Sequence, residues 1–448
     1  MTNPVLPKKL HVEKVGEKNG DPIYFVLAPD QPSWVFLNQD GLDILQCCDG
    51  HQTPQKIAAT IADQRRQFTA EEVMPVVESF LDNMRASKIL DQPLAELNDN
   101  AFRGIALEIT QQCNLRCRHC YLAAGRVAED ELSTAELKAL LRSLKEVDGI
   151  SVAFGGGEPL MREDCLELLE YATSLGLIIS LGTNGTLIDR NLAQAIARLP
   201  VKVQVSLDGA TAQTHDKIRG KGNFALAVRG IDHLIAEGKA KDLLIAYTVM
   251  KPNVYEVPKI IEFAMERQIP VIQFPPLTSA GRARKRWNEI RLSDEEQLWF
   301  WEYITGKAQE LRGQMDLLAD CFSMNIHRSG EPHQCTIGTQ FRIDPVGNIY
   351  PCQCFHFGEH FWLGNVKGTS LREVITGQKI KEIKALSFNR PSLIEACNNC
   401  LWKNFCGSGC MGNAYESTGN ALRPSSCSVR KKWMEHLFEV ELARTGVQ

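Results

Sequence analysis

The sequence lacks any apolar run near the roughly 18 residues of a membrane-spanning helix, and its N-terminus lacks the charged-then-apolar layout of a secretory signal. It also has no dominant charge, because 50 Lys and Arg face 54 Asp and Glu for a formal charge of -4. No global field therefore favours nucleic acid or an anionic membrane surface. We see no internal repeat or low-complexity tract. These absences predict a soluble, cytoplasmic, globular protein with no nucleic-acid or membrane partner.

Cysteine, by contrast, is abundant. The 15 cysteines are odd in number and lie in a chain of 448 residues without an export signal, which argues against a framework of disulfides. Eleven of them fall into tight spacings or glycine-rich turns of the kind that metal ligands show. The sequence therefore predicts reduced thiolates that hold metal.

The length predicts two to four domains, and the pattern of the chain divides it into three and a linker. Residues 1–92 predict a winged-helix-like domain in which three strands precede three helices. The third helix begins with a capping box formed by Thr69 and Glu72. A polar linker follows over residues 93–104. Residues 105–290 alternate between strand and helix patterns, and residues 291–448 are turn-rich and dense in cysteine.

The alternating region predicts an α/β fold. Six βα units with right-handed crossovers form a parallel sheet that curls into a partial (β/α)6 barrel. The predicted strands are Ile105–Thr110, Ile150–Phe154, Ile178–Leu181, Val201–Leu207, Leu243–Val249 and Val271–Phe274. Ligands of such sheets bind at the carboxyl ends of the strands, so the residues that follow each strand are the candidate site.

Three cysteines, Cys113, Cys117 and Cys120, follow the first of these strands. Three thiolates in one short loop can hold three corners of a 4Fe–4S cube and leave the fourth iron open to a substrate or cofactor. A zinc site with His119 as the fourth ligand is the alternative interpretation.

The surrounding motifs resemble those of the radical S-adenosylmethionine (SAM) superfamily. An aromatic residue follows the last cysteine, and polar or glycine residues follow the next three strands in the order that this family shows. The resemblance implies that SAM is bound by Tyr121, Gly156, Gly157, Glu158, Thr183, Asn184, Ser206, Asp208 and Arg219. It also implies reductive cleavage of SAM to a 5′-deoxyadenosyl radical that removes a hydrogen atom from an unactivated carbon.

A second cysteine series lies in the C-terminal region and resembles the seven-cysteine SPASM pattern of radical SAM maturases. A zinc ribbon would account for Cys397 and Cys400 but not for the whole series. The resemblance implies two auxiliary 4Fe–4S clusters, and thus three in all. Auxiliary cluster I takes Cys335, Cys352 and Cys410, and auxiliary cluster II takes Cys397, Cys400, Cys406 and Cys427. For the fourth ligand of cluster I we choose Cys321, with Cys354 or an open iron as the alternatives.

The N-terminal region resembles PqqD-like domains, which recognise the leaders of ribosomally made peptides. The resemblance rests on the Trp34–Leu37 strand, the Asp49-Gly50 turn and the Thr53-Pro54 helix start. It implies that a leader peptide adds as a strand to the sheet edge, in a groove between residues 34–37 and 71–87. A DNA-binding winged helix is disfavoured by the acidic residues of this region.

Together these features predict a radical SAM oxidoreductase that crosslinks a ribosomal precursor peptide, with Cys thioether formation as the favoured product. The alternatives are carbon–carbon bond formation in redox-cofactor biosynthesis and oxidation of a small molecule such as a tetrapyrrole. A binding protein that uses its clusters only for sensing is disfavoured by the complete series of SAM motifs. The family implies a flavodoxin or ferredoxin reductant. No motif marks a general acid or base, and the basic run from Arg282 to Arg286 is interpreted as a solvated loop.

Overall fold

The computed structural model describes residues 3–91, 97, 101–324, 326, 332–333, 335–356 and 358–446. Most of the predicted linker lies outside these residues. None of the helices in the described part of the chain combines the length and apolarity that crossing a bilayer requires.

The N-terminal unit is a three-stranded antiparallel sheet covered by three helices. Its strands are β1 (His11–Lys18), β2 (Asp21–Ala28) and β3 (Ser33–Asn38), in the order β1-β2-β3. Its helices are α1 (Gln39–Gln46), α2 (Pro54–Arg65) and α3 (Ala70–Ala86). The predicted capping box is present, because the Thr69 and Glu72 side chains each accept from the other residue's backbone N–H. The winged-helix-like outline is confirmed.

The central unit contains the six predicted parallel strands. They are β4 (Gly104–Thr110), β5 (Ser151–Gly156), β6 (Ile178–Thr183), β7 (Val201–Ser206), β8 (Leu243–Ala246) and β9 (Val271–Phe274). Neighbouring strands pair in register in this order. The helices beside them are α4 (Thr134–Glu146), α5 (Cys165–Ser174), α6 (Arg190–Ala197), α7 (Ala212–Arg219), α8 (Asn223–Ala236) and α9 (Val257–Glu266). The buried Val, Ile and Leu side chains of these strands pack against the helices in the main core, and the parallel sheet with its helices confirms the α/β fold class.

The C-terminal region extends this sheet at both edges. At one edge β10 (Asp316–Ala319) pairs in parallel with β9, and at the other β11 (Gln340–Ile343) pairs in parallel with β4. The antiparallel strands β12 (Asn348–Tyr350) and β13 (Gly364–Asn365) complete a ten-stranded sheet. The cysteine-rich region is therefore hydrogen-bonded directly to the barrel.

The remaining helices follow the last barrel strand. They are α10 (Gly281–Lys285), α11 (Trp287–Ile290), α12 (Asp294–Glu310), α13 (Leu371–Thr376), α14 (Gln378–Leu393), α15 (Lys403–Cys406), α16 (Met411–Thr418) and α17 (Cys427–Arg444). The last five cysteines, from Cys397 to Cys427, lie at the ends of these helices or in the turns between them, whereas Cys335, Cys352 and Cys354 lie in the segments beside β11 and β12.

An aromatic cluster joins the N-terminal sheet to the C-terminal region. Phe25 and Phe36 project from β2 and β3 toward Phe438 of α17, and the rings of Phe25 and Phe438 lie 4.2 Å apart. Trp402, which lies between Cys400 and Cys406 in the sequence, packs against the rings of Phe25 and Phe438. The indole N–H of Trp34 also donates to the Ile326 carbonyl at 2.7 Å. One face of the small sheet thus covers the C-terminal helices, while its other face covers its own helices.

Candidate metal centres

The first metal centre is the loop after β4. Three thiols lie close enough there to interact electrostatically, those of Cys113, Cys117 and Cys120. Burial raises the pKa of Cys113 to about 11. Buried thiols with raised pKa values become thiolates only when a cation compensates their charge. No three Cys, His, Asp or Glu side chains of the described chain converge on a single ion. Three thiols on one short loop are the donor set of a 4Fe–4S cluster that leaves its fourth iron open.

The charged groups that act on His119 are Asp208, Arg219 and Arg282. The Nε2 of His119 lies 3.4 Å from Asp208 Oδ2, and burial lowers the pKa of His119 to about 4, so the ring is neutral. Its buried Nδ1 makes no hydrogen bond within the described residues. The geometry therefore offers no support for the zinc alternative.

Two arginines hold the cysteine loop from outside. Arg219 Nε donates to Asp208 at 2.5 Å, and its Nη1 lies 3.8 Å from the Cys117 sulfur. Arg282 donates from Nε to the Cys117 carbonyl at 2.9 Å and from Nη1 to the Ala124 carbonyl at 2.7 Å. The interpretation of the basic run as a solvated loop is wrong, because most of the run lies on α10 and Arg282 is half-buried, although Lys285 is exposed. Nothing in the local sequence marks Arg282, because its partners lie about 160 residues away.

Several of the predicted SAM contacts hold the strand ends together. Glu158 is fully buried and accepts from the Thr183 hydroxyl and the Asn184 N–H, both at 2.7 Å. The Asn184 amide donates to Asn114 of the cysteine loop at 2.8 Å. Asp208 is likewise buried and accepts from the Thr248 N–H as well as from Arg219. Because these side chains are already hydrogen-bonded within the protein, they act on a ligand indirectly, by positioning the loops that surround it.

The glycines after β5 allow a close approach of the backbone. A Cβ on Gly157 would lie 2.0 Å from the Gln112 carbonyl oxygen, and one on Gly156 would lie 2.4 Å from that of Thr110. Only glycine fits at these positions, where β5 packs on the cysteine loop. Gly155 instead borders open space at the carboxyl end of the strand. The hydroxyl of Ser206, at the end of β7, makes no hydrogen bond to another described residue and is available to a ligand.

The second centre gathers four C-terminal thiols. The thiol of Cys354 interacts with those of Cys352 and Cys410, and Cys335 lies close enough to Cys410 and Cys354 to interact with both. Cys321, the ligand chosen from the sequence, has other neighbours: Thr305, Asp320 and Arg430. It is packed in the main core at the end of β10. The structure thus brings Cys354 rather than Cys321 to the other three thiols.

The third centre gathers the four thiols predicted for auxiliary cluster II. Cys400 interacts with Cys397, Cys406 and Cys427, and burial raises its pKa. The Cys397 sulfur also lies 3.4 Å from the Ser408 hydroxyl. Four thiols and no disulfide are the donor set of a 4Fe–4S cluster with all its irons ligated.

A buried ion pair connects the first two centres. Glu108 of β4 and Arg342 of β11 form a bidentate pair at 2.7 and 2.8 Å. Arg342 also donates to the carbonyls of Phe355 and His356, which directly follow Cys354. The Tyr121 hydroxyl is buried against Glu108, and the centres of the Tyr121 and His356 rings lie 4.5 Å apart. The residue as a whole is partly exposed. This network positions the loop of the first centre relative to that of the second.

Comparisons with known proteins agree with this arrangement. A model of the radical SAM superfamily matches residues 107–264. The mycofactocin maturase MftC of Mycobacterium tuberculosis is 31% identical over 337 residues, which are 72% of this chain and 83% of that protein. The chain belongs to the radical SAM superfamily. It is therefore an enzyme that uses SAM and iron–sulfur chemistry.

Further matches extend beyond the radical SAM barrel. An iron–sulfur cluster-binding (SPASM) domain matches residues 335–401, and the coenzyme PQQ synthesis protein D (PqqD) matches residues 24–90. The Fe-coproporphyrin III synthase of Methanosarcina barkeri is 33% identical over 75% of this chain and 90% of that protein. The structure of Streptococcus suis SuiB bound to its precursor peptide SuiA covers 94% of this chain and 99% of that one, with a TM-score of 0.59 and 14% identity. At that identity the likeness concerns the fold.

Proposed function

We propose that this radical SAM enzyme is a maturase that oxidatively crosslinks a ribosomally made precursor peptide, with a Cys thioether as the product. The observation that carries the proposal is the PqqD-like unit at the N-terminus. Among the described strands β3 pairs only with β2, so the other edge of β3 can pair with a peptide strand. The mycofactocin maturase and the SuiB–SuiA complex are relatives whose names point to the same class of substrate.

The three thiol groups are proposed to hold three 4Fe–4S clusters. Cys113, Cys117 and Cys120 hold the cluster with the open iron, and Cys397, Cys400, Cys406 and Cys427 hold auxiliary cluster II. For auxiliary cluster I we assign Cys335, Cys352, Cys354 and Cys410, since these four lie together. A flavodoxin or ferredoxin is the proposed reductant.

When bound, SAM and the reduced cluster supply the 5′-deoxyadenosyl radical that abstracts hydrogen from the peptide. The chain's own residues position these partners. Ser206 offers a free hydroxyl and Gly155 an open backbone at the carboxyl ends of the strands. Glu158, Asp208 and Arg219 hold the loops, and Tyr121 borders the space between the first two centres. Fixed donors of this kind keep the reacting atoms aligned.

A second candidate function is the oxidation of a tetrapyrrole. It is favoured by the Fe-coproporphyrin III synthase and by the AdoMet-dependent heme synthase of Methanosarcina barkeri, which is 30% identical over 72% of this chain. This alternative gives the PqqD-like unit no role, and we therefore place it second.

The test is mass spectrometry of a short peptide encoded beside this gene, incubated anaerobically with reconstituted enzyme, SAM and a strong reductant. We expect a loss of two hydrogens per crosslink. Deleting residues 1–92 is a poor control, because the deletion would uncover Trp402 and Phe438. Val76→Glu changes a side chain of α3 that is 60% exposed, and Val12→Glu changes one that is 40% exposed on the opposite edge strand β1.

We expect Val76→Glu to slow peptide modification at least about tenfold, which is about 1.4 kcal/mol, and Val12→Glu to leave it unchanged. Both variants should cleave SAM as the parent enzyme does. An unmodified peptide together with conversion of an iron coproporphyrin would decide for the second candidate.

A further inference from the structure

Arg390 is the least compensated buried charge among the described arginines. Three arginines are buried there, namely Arg342, Arg390 and Arg430. Arg342 is paired with Glu108, and Arg430 lies 3.5 Å from Asp320. Arg390 is only 1% exposed, and no carboxylate of the described chain pairs with it. A buried guanidinium without a counter-anion costs several kcal/mol, so its charge calls for another compensation.

The hydrogen bonds of Arg390 account for its geometry but not for its charge. Its Nε donates to the Ala421 carbonyl at 2.9 Å, Nη1 to that of Gly409 at 2.6 Å and Nη2 to that of Arg423 at 2.8 Å. The three nitrogens thus fix a planar fork against one loop surface. Carbonyl oxygens are neutral acceptors, so the net positive charge remains.

The position of Arg390 lies between the two C-terminal thiol groups. Gly409, which accepts from Arg390, directly precedes Cys410 of the first group. Ser387, one turn earlier on α14, interacts with Cys335 of that same group. On the other side, Ser408 contacts the sulfur of Cys397 in the second group. The thiols within electrostatic reach of the guanidinium are Cys410, Cys335, Cys397 and Cys406, two from each group.

We infer that Arg390 is a positioning residue that places one fixed positive charge between auxiliary clusters I and II and favours the reduction of both. This inference rests on the cluster assignment proposed above. A 4Fe–4S core held by four thiolates carries net negative charge, and reduction adds to it, so a nearby cation stabilises the reduced state. A cation shared by two clusters attracts an added electron on either one, and this attraction offsets part of the repulsion between the two reduced clusters.

The pKa shifts of Arg342, which is paired with Glu108, and of Arg390, which has no carboxylate partner among the described residues, agree with this role. In Arg342 burial disfavours the charge, but Glu108 more than reverses the effect and the pKa is raised. In Arg390 burial prevails over the thiols and the pKa is lowered.

The experiment is an EPR-monitored redox titration of the anaerobically reconstituted full-length enzyme. Arg390→Gln removes the charge, Arg390→Lys keeps it without the fork, and Lys381→Gln removes an exposed charge from the same helix. We expect Arg390→Gln to lower the equilibrium constant for one-electron reduction of each auxiliary cluster about tenfold or more, which is about 59 mV. The SAM-binding cluster and the Lys381→Gln enzyme should titrate as the parent does, and Arg390→Lys should recover most of the shift.

Two outcomes for the measured potentials would overturn the inference. One is an unchanged potential of either auxiliary cluster in Arg390→Gln. The other is an equal shift in Arg390→Lys and Arg390→Gln, which would assign the effect to the three hydrogen bonds. If Arg390→Gln loses iron, a full iron content in Arg390→Lys supports a role for the positive charge. An equal loss of iron in both variants overturns that role. Fewer than two auxiliary signals in the parent enzyme would instead refute the cluster assignment and this inference with it.

Discussion

The ion pair between Glu108 and Arg342 gives the sharpest stability prediction. Its side chains are 6% and 4% exposed, and the pair joins β4 of the barrel to β11 of the C-terminal region. At 2.7 Å and an effective dielectric constant of about 20, the attraction is about 6 kcal/mol. The cost of desolvating both ions offsets part of it. Arg342→Met leaves the carboxylate buried alone, and we expect it to lower the free energy of unfolding by about 3–5 kcal/mol.

The sign of the pH dependence follows from the carboxylate left behind. Burial already raises the pKa of Glu108 against the opposing effect of Arg342, so removal of Arg342 raises it further. A group whose pKa is raised in the folded state stabilises the fold at low pH and loses this contribution as the pH rises. The deficit of Arg342→Met should therefore shrink as the pH is lowered towards the ordinary pKa of a glutamate carboxyl.

Urea unfolding of the anaerobic protein, followed by tryptophan fluorescence, measures this deficit. Arg286→Met is the matched control, because it breaks an exposed pair with Glu289 and should cost less than about 1 kcal/mol. The double variant Glu108→Gln with Arg342→Met removes both charges and should recover most of the loss. A deficit below about 1 kcal/mol, or a double variant no better than the single one, would refute the reasoning.

Three further predictions concern other parts of the chain. Phe438→Ala removes the ring packed on Phe25 and should cost about 2 kcal/mol, seen as faster proteolytic release of the N-terminal unit; unchanged proteolysis would contradict this. Glu158→Gln leaves a buried donor without its acceptor and should lower the free energy of unfolding by about 1–3 kcal/mol. It should also reduce the iron content of the first centre but not that of the other two, which iron analysis checks. Burial lowers the pKa of His215 to about 4, so its contribution to stability is present above about pH 6.5 and lost as the pH falls towards 4. The urea midpoint of His215→Gln should accordingly vary less over this window than that of the parent.

The ligand assignment of auxiliary cluster I is tested by comparing two serine variants. Cys354→Ser should lose or alter one auxiliary EPR signal, whereas Cys321→Ser, in the main core, should keep all its iron. The reverse result would restore the assignment made from spacing.

The sequence by itself determined the features that depend on local spacing. The capping box of Thr69 and Glu72, the six barrel strands and the loop of Cys113, Cys117 and Cys120 all follow from neighbours a few residues apart. Hydrophobic periodicity and short ligand spacings act over such distances, so they can be read in one dimension. The resemblance to a known family then supplied the cofactors.

Only the tertiary structure decided how distant side chains meet. Glu108 and Arg342 are 234 residues apart, and neither the pair nor the loop contacts of Arg282 has a local signal. The choice of Cys354 over Cys321 likewise depends on where α16 places Cys410. The charge of Arg390 could be counted in the sequence, but its burial between two thiol groups could not. Burial, electrostatic compensation and ligand grouping are properties of three-dimensional neighbours, and spacing along the chain does not specify them.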